Sequence, residues 1–336
     1  MYNKIFVSNR AGVGDVILTT PILKAIKDKF PQSHLTFMTG PNCAELVNGL
    51  SFIDEVVLYN NKSKQNSSMF NIIKKIWRSD IALLIDFKYR SAVIAFLAGI
   101  PIRAGLNHKR SLFMTHTAPL KEGREHNYEP YNYADIIRDS TGIDLLGDFS
   151  KLYVPKRSPE DVNFVTKLLA SKGIMGDKPI VTIAPFTAWS MKNWPTHRYI
   201  ELIKKIKASY DCDIVLTGDD THDYPGGSEL RQLSSIANLS GKTSLLQVTE
   251  IIARSKLLIG SCSGTIHMAA ATNTPAVIIY GPTSPERWAP RKNVIILSKN
   301  TICSPCDGPA IGCPENQCIQ SISVDEVFEA SSKFLS

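Results

Sequence analysis

Short β-type apolar runs alternate with stretches of helical periodicity along nearly the whole chain, and nothing else in the sequence restricts the fold as strongly. A strand, a helix and a second strand in succession form the repeating unit of a parallel sheet buried on both faces. In the first half the predicted strands are Lys4–Ser8, His34–Met38, Glu55–Leu58 and Ile81–Ile85. Between the first two, Ile22, Leu23, Ile26 and Phe30 recur at helical spacing and Pro31 closes the helix; Tyr128–Thr141 reads as another. A second series begins after Val154-Pro155, where Ser158 with Glu160 and Asp161 suits a capped helix running to about Ser171. Strands are then predicted at Ile180–Ala184, Asp213–Leu216, Leu257–Ile259 and Ala276–Tyr280, with Val294–Leu297 at an edge. Helices are predicted at Thr196–Ser209, Ser244–Ala253, Thr265–Ala271 and Ser323–Leu335.

The expected fold class is therefore α/β, with two doubly wound domains. The 336 residues suit two domains of roughly 150. The expected division is residues 1–155 for the first domain, 156–177 for a linker helix, 178–322 for the second domain and 323–336 for a terminal helix. Ligands of such sheets bind at the carboxyl ends of the strands. Chemistry is thus expected in loops 8–16, 86–91, 184–195, 217–229, 260–267 and 280–289.

Composition narrows the class. With 43% hydrophobic and 21% charged residues, the chain is not disordered, collagen-like or a coiled coil. No apolar run approaches the roughly 18 to 20 residues of a spanning helix, and the start lacks the apolar core of a signal peptide. A cytoplasmic location is expected. The net charge of +7 is compatible with nucleic acid, an anionic membrane surface or phosphorylated small molecules, without choosing among them. Seven cysteines with no secretion signal argue for reduced thiols.

Arg10-Ala11-Gly12-Val13-Gly14-Asp15 follows the first strand and opens a helix. It is not a dinucleotide fingerprint, because Ile17 holds the third glycine position and the second strand ends in Thr39-Gly40-Pro41 without an acidic residue. What remains is a turn presenting Asp15 at a helix start. There it either complements the helix dipole or accepts a proton from an attacking hydroxyl. Lys192, in Ser190-Met191-Lys192-Asn193-Trp194-Pro195, stands before a helix, where a cation beside free N–H groups suits phosphate. The plainer reading is a surface lysine next to a core tryptophan. Ser261-Cys262-Ser263-Gly264-Thr265-Ile266-His267 opens another helix with small residues, which serve either close packing or approach to a diphosphate. Ser240-Gly241-Lys242-Thr243 is not a P-loop, since Ile236 stands where the first glycine belongs.

Four segments occur in order: Gly14-Asp15-Val16-Ile17-Leu18-Thr19-Thr20-Pro21, Lys192-Asn193-Trp194-Pro195, Ser263-Gly264-Thr265-Ile266-His267-Met268-Ala269-Ala270-Ala271 and Tyr280-Gly281-Pro282-Thr283-Ser284-Pro285. Together they resemble glycosyltransferase family 9, the bacterial ADP-heptose:lipopolysaccharide heptosyltransferases, over nearly the whole chain. The resemblance implies a GT-B architecture, two Rossmann-like doubly wound domains facing a central cleft, the first for acceptor and the second for the nucleotide-sugar donor. It implies inverting transfer of heptose from ADP-heptose to a lipopolysaccharide inner-core acceptor, with no metal required. Asp15 would be the general base and Lys192 would neutralise donor phosphate. Ser263, Gly264, Thr265 and His267 would form the diphosphate loop, and Glu229 and Thr243 would contact the nucleoside. The implied partners are the donor and an anionic glycolipid. Nucleic acid is not among them, and membrane contact would be at most peripheral, at the inner face of the inner membrane.

One departure stands out. Cys262 replaces the acidic residue usual in the family before the Ser/Thr-Gly pair, and a thiol supplies neither its charge nor its full hydrogen bonding. This leaves room for a sugar other than heptose, or for a lapsed nucleotide-sugar binding protein; a protein or other glycan acceptor is a further alternative. Acceptor contacts are expected from Arg10, Lys88, Arg90 and Arg103, with Arg110 as a further candidate. Cys303, Cys306, Cys313 and Cys318 supply enough thiolates for a structural zinc or iron site, at a spacing unlike that of zinc fingers.

Overall fold

The computed structural model describes residues 2–59, 69–220, 224–299, 301, 303–306, 313 and 316–336. The chain divides into two compact units, Met1–Lys156 and Arg157–Ser336.

The first unit runs β1 (Lys4–Ser8), α1 (Val13–Lys29), β2 (His34–Thr39), β3 (Glu55–Leu58), α2 (Met69–Lys75), β4 (Ile81–Leu84), α3 (Tyr89–Leu97), β5 (Ile102–Leu106), β6 (His116–Ala118) and α4 (Glu129–Thr141). Its six strands are all parallel, in the order β3-β2-β1-β4-β5-β6. The strand order reverses between β1 and β4, which is where doubly wound sheets open a crevice for ligands. Residues Val16 to Leu23 and Ala25 to Ile26 of α1 are buried, so the helix is held by packing on nearly every side. Pro21 lies inside it and removes the N–H that would pair with the Ile17 carbonyl. The Thr20 hydroxyl donates to that carbonyl instead, at 2.6 Å.

The second unit runs α5 (Pro159–Ala170), β7 (Ile180–Ala184), α6 (Thr196–Ser209), β8 (Asp213–Leu216), α7 (Gly227–Arg231), β9 (Ala237–Asn238), α8 (Leu245–Arg254), β10 (Ser255–Ser261), α9 (Gly264–Thr272), β11 (Ala276–Ile279), α10 (Pro285–Trp288), β12 (Val294–Leu297), α11 (Gln317–Gln320) and α12 (Val324–Leu335). Its sheet is also parallel, ordered β12-β11-β10-β7-β8-β9, with the switch point between β7 and β10. Strand residues such as Val181, Ile183, Leu257 and Ile259 pack with Tyr199, Leu202 and Ile203 of α6 and Val327 of α12. Gly260 fits that switch point because a Cβ there would lie 2.5 Å from the Ala184 carbonyl oxygen of the neighbouring strand.

The expected linker helix, here α5, packs within the second unit: Val165 and Leu169 share a core with Val215 and Ile251. Its Ser158 cap is present, with the Asp161 N–H donating to the Ser158 hydroxyl at 3.1 Å. The terminal helix α12 is likewise part of the second unit and is capped by Ser323. Strands β5, β6 and β9 were not foreseen. Pro101 stands just before the first and Gly105 lies inside it, while β6 and β9 have three and two residues, too short to show a period. Residues 221–223 of the loop expected after β8 lie outside the described residues.

Candidate active site

In the first unit, the loops after β1 and β4 meet at the switch point around Asp86. This residue is 4% exposed. One of its carboxylate oxygens accepts from the Ser8 hydroxyl at 2.6 Å, the Ser91 hydroxyl at 3.0 Å and the Arg10 backbone N–H at 3.1 Å. The other accepts from the Lys88 backbone N–H at 2.9 Å and lies 3.7 Å from the Arg110 guanidinium. Arg110 is buried and donates to the carbonyls of Leu84 and Asp86. Burial holds its pKa below the usual arginine value, while Asp86 pulls the other way. The expectation of Arg110 as an acceptor contact is thus corrected: its fork is consumed inside the protein.

Asp15 sits in the first turn of α1, half-buried, and the Gly12 N–H donates to its carboxylate at 3.2 Å. The dipole-complementing role is therefore real, and it also fixes the carboxylate at the ligand-binding end of the sheet. Asn9 stiffens the same turn: its amide donates to the Thr19 hydroxyl at 2.7 Å and its oxygen accepts from the Ala11 N–H at 3.2 Å. The Cys43 thiol is pushed up to about 11, first by burial and then by the nearby Asp15 charge. Arg10 lies 4.2 Å over the Tyr59 ring, and burial lowers its pKa despite Asp86.

Lys88 and Arg90 are exposed at the start of α3, beside the same switch point. Arg103 is not brought to them. It is the second residue of β5, towards the opposite end of the strand, and its guanidinium donates to the carbonyls of Ile100 and Phe113. Sequence reading missed Asn9 and Asp86; an acidic residue directly after a fully apolar strand was the available signal.

In the second unit, Lys192 stands in the loop after β7, in a short 3-10 turn (Ser190–Lys192). The loop is braced from within. The Thr187 N–H donates to the Asn193 side chain at 2.8 Å, and the Thr187 hydroxyl donates to the Trp189 carbonyl at 2.7 Å. Trp194 is a buried anchor whose indole N–H donates to the Ile322 carbonyl at 2.9 Å.

Across the switch point, Ser263 is the N-cap residue of α9 but makes no side-chain cap. Its hydroxyl instead pairs with that of Thr265 at 2.7 Å. The first amides of α9 thus receive no cap from that hydroxyl, an arrangement suited to an anion. His267 is 3% exposed, and its Nδ1 has no hydrogen-bond partner among the described residues. Burial, then the Lys192 charge, lowers its pKa to about 3. At neutral pH the imidazole is uncharged. The structure therefore brings Lys192 and the Ser263–His267 segment to the two sides of one switch point.

Glu229 lines a cavity of about 450 Å³ with Phe186, Tyr224 and, from the Lys192 loop, Ser190 and Asn193. Phe186 and Tyr224 stack at 4.2 Å there. Thr243 is half-buried just before α8 and does not line this cavity. Cys262 is buried beside Ser263.

The cysteine-rich segment touches the Lys192 loop. The Cys318 thiol donates to the Asn316 side-chain oxygen at 3.8 Å, and the Asn316 amide donates to the Met191 carbonyl at 2.8 Å. Cys303 and Cys306 are exposed, Cys313 is half-buried, Cys318 is buried, and all four thiols are free. Among the described residues no group of three or more His, Cys, Asp or Glu is placed to hold a metal ion. Residues 307–312 and 314–315, between these cysteines, lie outside the described residues. No helix among the described residues is long and apolar enough to cross a membrane.

Two doubly wound parallel domains, with polar loops gathered at both switch points, define a two-domain α/β fold of the GT-B class. The chain belongs to glycosyltransferase family 9 (heptosyltransferase), whose model matches residues 69–314, and it is accordingly a glycosyltransferase. It is 24% identical over 300 residues to lipopolysaccharide heptosyltransferase 2 of Salmonella typhimurium, covering 85% of each chain. Among solved structures it is similar to a glycosyltransferase family 9 protein of Veillonella parvula, with a TM-score of 0.82 and 21% identity over 99% of this chain and 97% of that one. It is also similar to ADP-heptose lipopolysaccharide heptosyltransferase II of E. coli, with a TM-score of 0.79 and 23% identity over 99% and 98%. The E. coli heptosyltransferase WaaC, solved with ADP-2-deoxy-2-fluoro heptose, shares the fold at a TM-score of 0.66 and 16% identity, over 98% and 99%.

Proposed function

We propose that this chain transfers heptose from ADP-heptose to a hydroxyl of a lipopolysaccharide inner-core acceptor, with inversion at the anomeric carbon. Asp15 takes the proton of the attacking hydroxyl as its oxygen bonds to the anomeric carbon. The bond from that carbon to the phosphate oxygen breaks, and ADP departs with the electron pair. Lys192 neutralises the charge that gathers on the leaving diphosphate, and the amides of Ser263, Gly264 and Thr265 hold its oxygens. Glu229 serves the nucleoside from the neighbouring cavity, and Thr243 approaches it from the start of α8. Arg10, Lys88 and Arg90 meet the anionic acceptor.

The observation that carries this reading is the set of groups at the β7/β10 switch point. A lysine, an N-terminus without its N-cap hydroxyl and a buried neutral histidine with an unpaired nitrogen all lie there. A buried polar atom without a partner costs about 1 to 3 kcal/mol, which a bound donor would offset.

No step of this mechanism uses a metal ion. The four tail cysteines are proposed at most as a structural zinc or iron site, tested by elemental analysis of protein purified without added metal. The proposed workplace is the inner face of the inner membrane, because the lipid-linked acceptor resides there in this reading.

The test is incubation with ADP-heptose and heptose-deficient lipopolysaccharide. Mass spectrometry should show one added heptose with release of ADP, and NMR should show the inverted linkage. Absence of transfer to any lipopolysaccharide core would overturn the assignment. Cys262 favours one second reading, a nucleotide-sugar binding protein that no longer turns over; tight ADP-heptose binding without product would establish it.

A further inference from the structure

Nine of the fourteen large hydrophobic side chains exposed among the described residues fall within residues 69–120 of the first unit. Their placement is not scattered. α3 buries Ala92, Ile94 and Ala95 against the sheet, as expected of a surface helix. Its outer face, however, presents Tyr89, Phe96 and Leu97, with Arg90 as its charged residue. This helix is apolar on both sides. α2 packs beside it and contributes Phe70, 72% exposed, and the turn after α2 adds Trp77. On the other flank the 3-10 turn Ser111–Phe113 contributes Leu112, 83% exposed. Phe113 joins the parts, edge-on to Tyr89 at 5.2 Å and to Phe96 at 5.4 Å. Buried Ile72, Ile76, Ala92 and Ile94 belong to one core cluster, so these segments form a single layer over the sheet.

The same stretch carries a net charge of +6, against +7 for the whole chain. Residues 69–120 hold eight Lys and Arg against two Asp and no Glu. Both acids have partners within the protein: Asp86 in its buried network, and half-buried Asp80 accepting the backbone N–H groups of Asn3 and Lys4 at 2.6 and 2.9 Å. Lys74, Lys75, Arg78, Lys88, Arg90 and Lys109 are exposed, Lys75 with Glu55 as its ion-pair partner. Protruding aromatic and aliphatic side chains set among lysines and arginines match the two demands of an anionic bilayer surface, an apolar boundary and negative headgroups.

We infer that the outer face of α2, α3 and the Ser111–Phe113 turn is a docking surface for an anionic lipid bilayer. Phe70, Trp77, Phe96 and Leu112 enter the headgroup boundary, and the basic residues meet lipid phosphates. This goes beyond the proposed reaction and does not depend on its donor or acceptor. It supplies a physical means of holding the enzyme where a lipid-linked substrate is presented.

The experiment is sedimentation of the full chain with vesicles of phosphatidylcholine alone and with added phosphatidylglycerol, neither containing glycolipid. Binding is expected only with phosphatidylglycerol, weakening with salt and accompanied by a blue shift of Trp77 emission that Trp77→Ser removes. Lys74→Gln with Lys109→Gln should lower partitioning about 30-fold, roughly fivefold per charge. Phe70→Ser with Leu112→Ser should lower it by at least about tenfold. Both double variants should melt like the parent protein and keep its turnover on a delipidated acceptor. Absence of binding to phosphatidylglycerol vesicles at low salt overturns the inference, as does undiminished binding of the Phe70/Leu112 variant. A concentration-dependent dimer lost in that variant, without vesicle binding, overturns it in favour of a second copy as occupant. Because no acceptor is present, failure of the heptosyl reading leaves this result unaffected.

Discussion

The Asp86 carboxylate and the Arg110 guanidinium lie 3.7 Å apart inside the first unit, with side chains 1% and 0% exposed. Around this pair converge the backbone of Arg10, from the loop leading to Asp15, and the backbone of Lys88, at the start of α3. Removing one partner of a buried ion pair strands the other charge, at a cost of about 3 to 5 kcal/mol. Asp86→Ala should therefore lower unfolding free energy by that amount in urea titrations. A loss below about 1 kcal/mol, the range of an exposed pair, would show that water reaches the site.

Asp15→Asn keeps the size of the side chain and its cap to the Gly12 N–H while removing the basicity. Turnover should fall by about 10² to 10⁴-fold, with ADP-heptose affinity nearly unchanged by calorimetry. Near-parental turnover would remove Asp15 from the proton transfer.

Lys192→Ala should weaken ADP-heptose binding by about 10- to 100-fold, the scale of a charge-assisted hydrogen bond. Asn316→Ala tests how the tail supports that lysine. It frees the Met191 carbonyl next to Lys192 and should raise the donor Kd severalfold. Equal Kd values for Asn316→Ala and the parent would show that the tail does not position the loop.

His267 gives the pH dependence a definite sign. Its folded pKa of about 3 lies below the ordinary value of 6.5, chiefly through burial. Between those values the unfolded chain binds a proton that the folded chain refuses. The contribution is thus fully present above pH 6.5 and is lost progressively as pH falls towards 3, by up to about 1.4 kcal/mol per pH unit. Urea titrations at several pH values should show this slope in the parent and its reduction in His267→Gln. Parallel slopes in the two proteins would contradict the buried, neutral imidazole.

Both parallel sheets were legible in the sequence wherever a short apolar run stood between turn or helix signals. Asp213–Leu216 and Val294–Leu297 match the predicted limits. Strands β5 and β6 were not legible, because pairing with an existing sheet edge holds them rather than their own pattern. At the candidate site, Asp15, Lys192 and Ser263–His267 were marked by their places after strands. The hub at Asp86 was not, because its importance lies in five partners spread over residues 8 to 110, and separations of that kind leave no spacing to read. Arg103 misled for the complementary reason: a basic residue near a promising loop says nothing about which end of its strand it occupies.

Gly260 has a consequence for how this enzyme could change its sugar. With the Ala184 carbonyl oxygen only 2.5 Å from where a methyl would stand, no side chain fits at this point between β7 and β10 without a backbone shift. The roots of the Lys192 loop and of α9 are therefore held by paired backbone with no side chain between them. A larger or differently charged donor cannot be accommodated by spreading the sheet without breaking its ladder. In the proposed reading, changes of donor preference fall to the loop tips, and Cys262, two residues beyond that glycine, is the first of them.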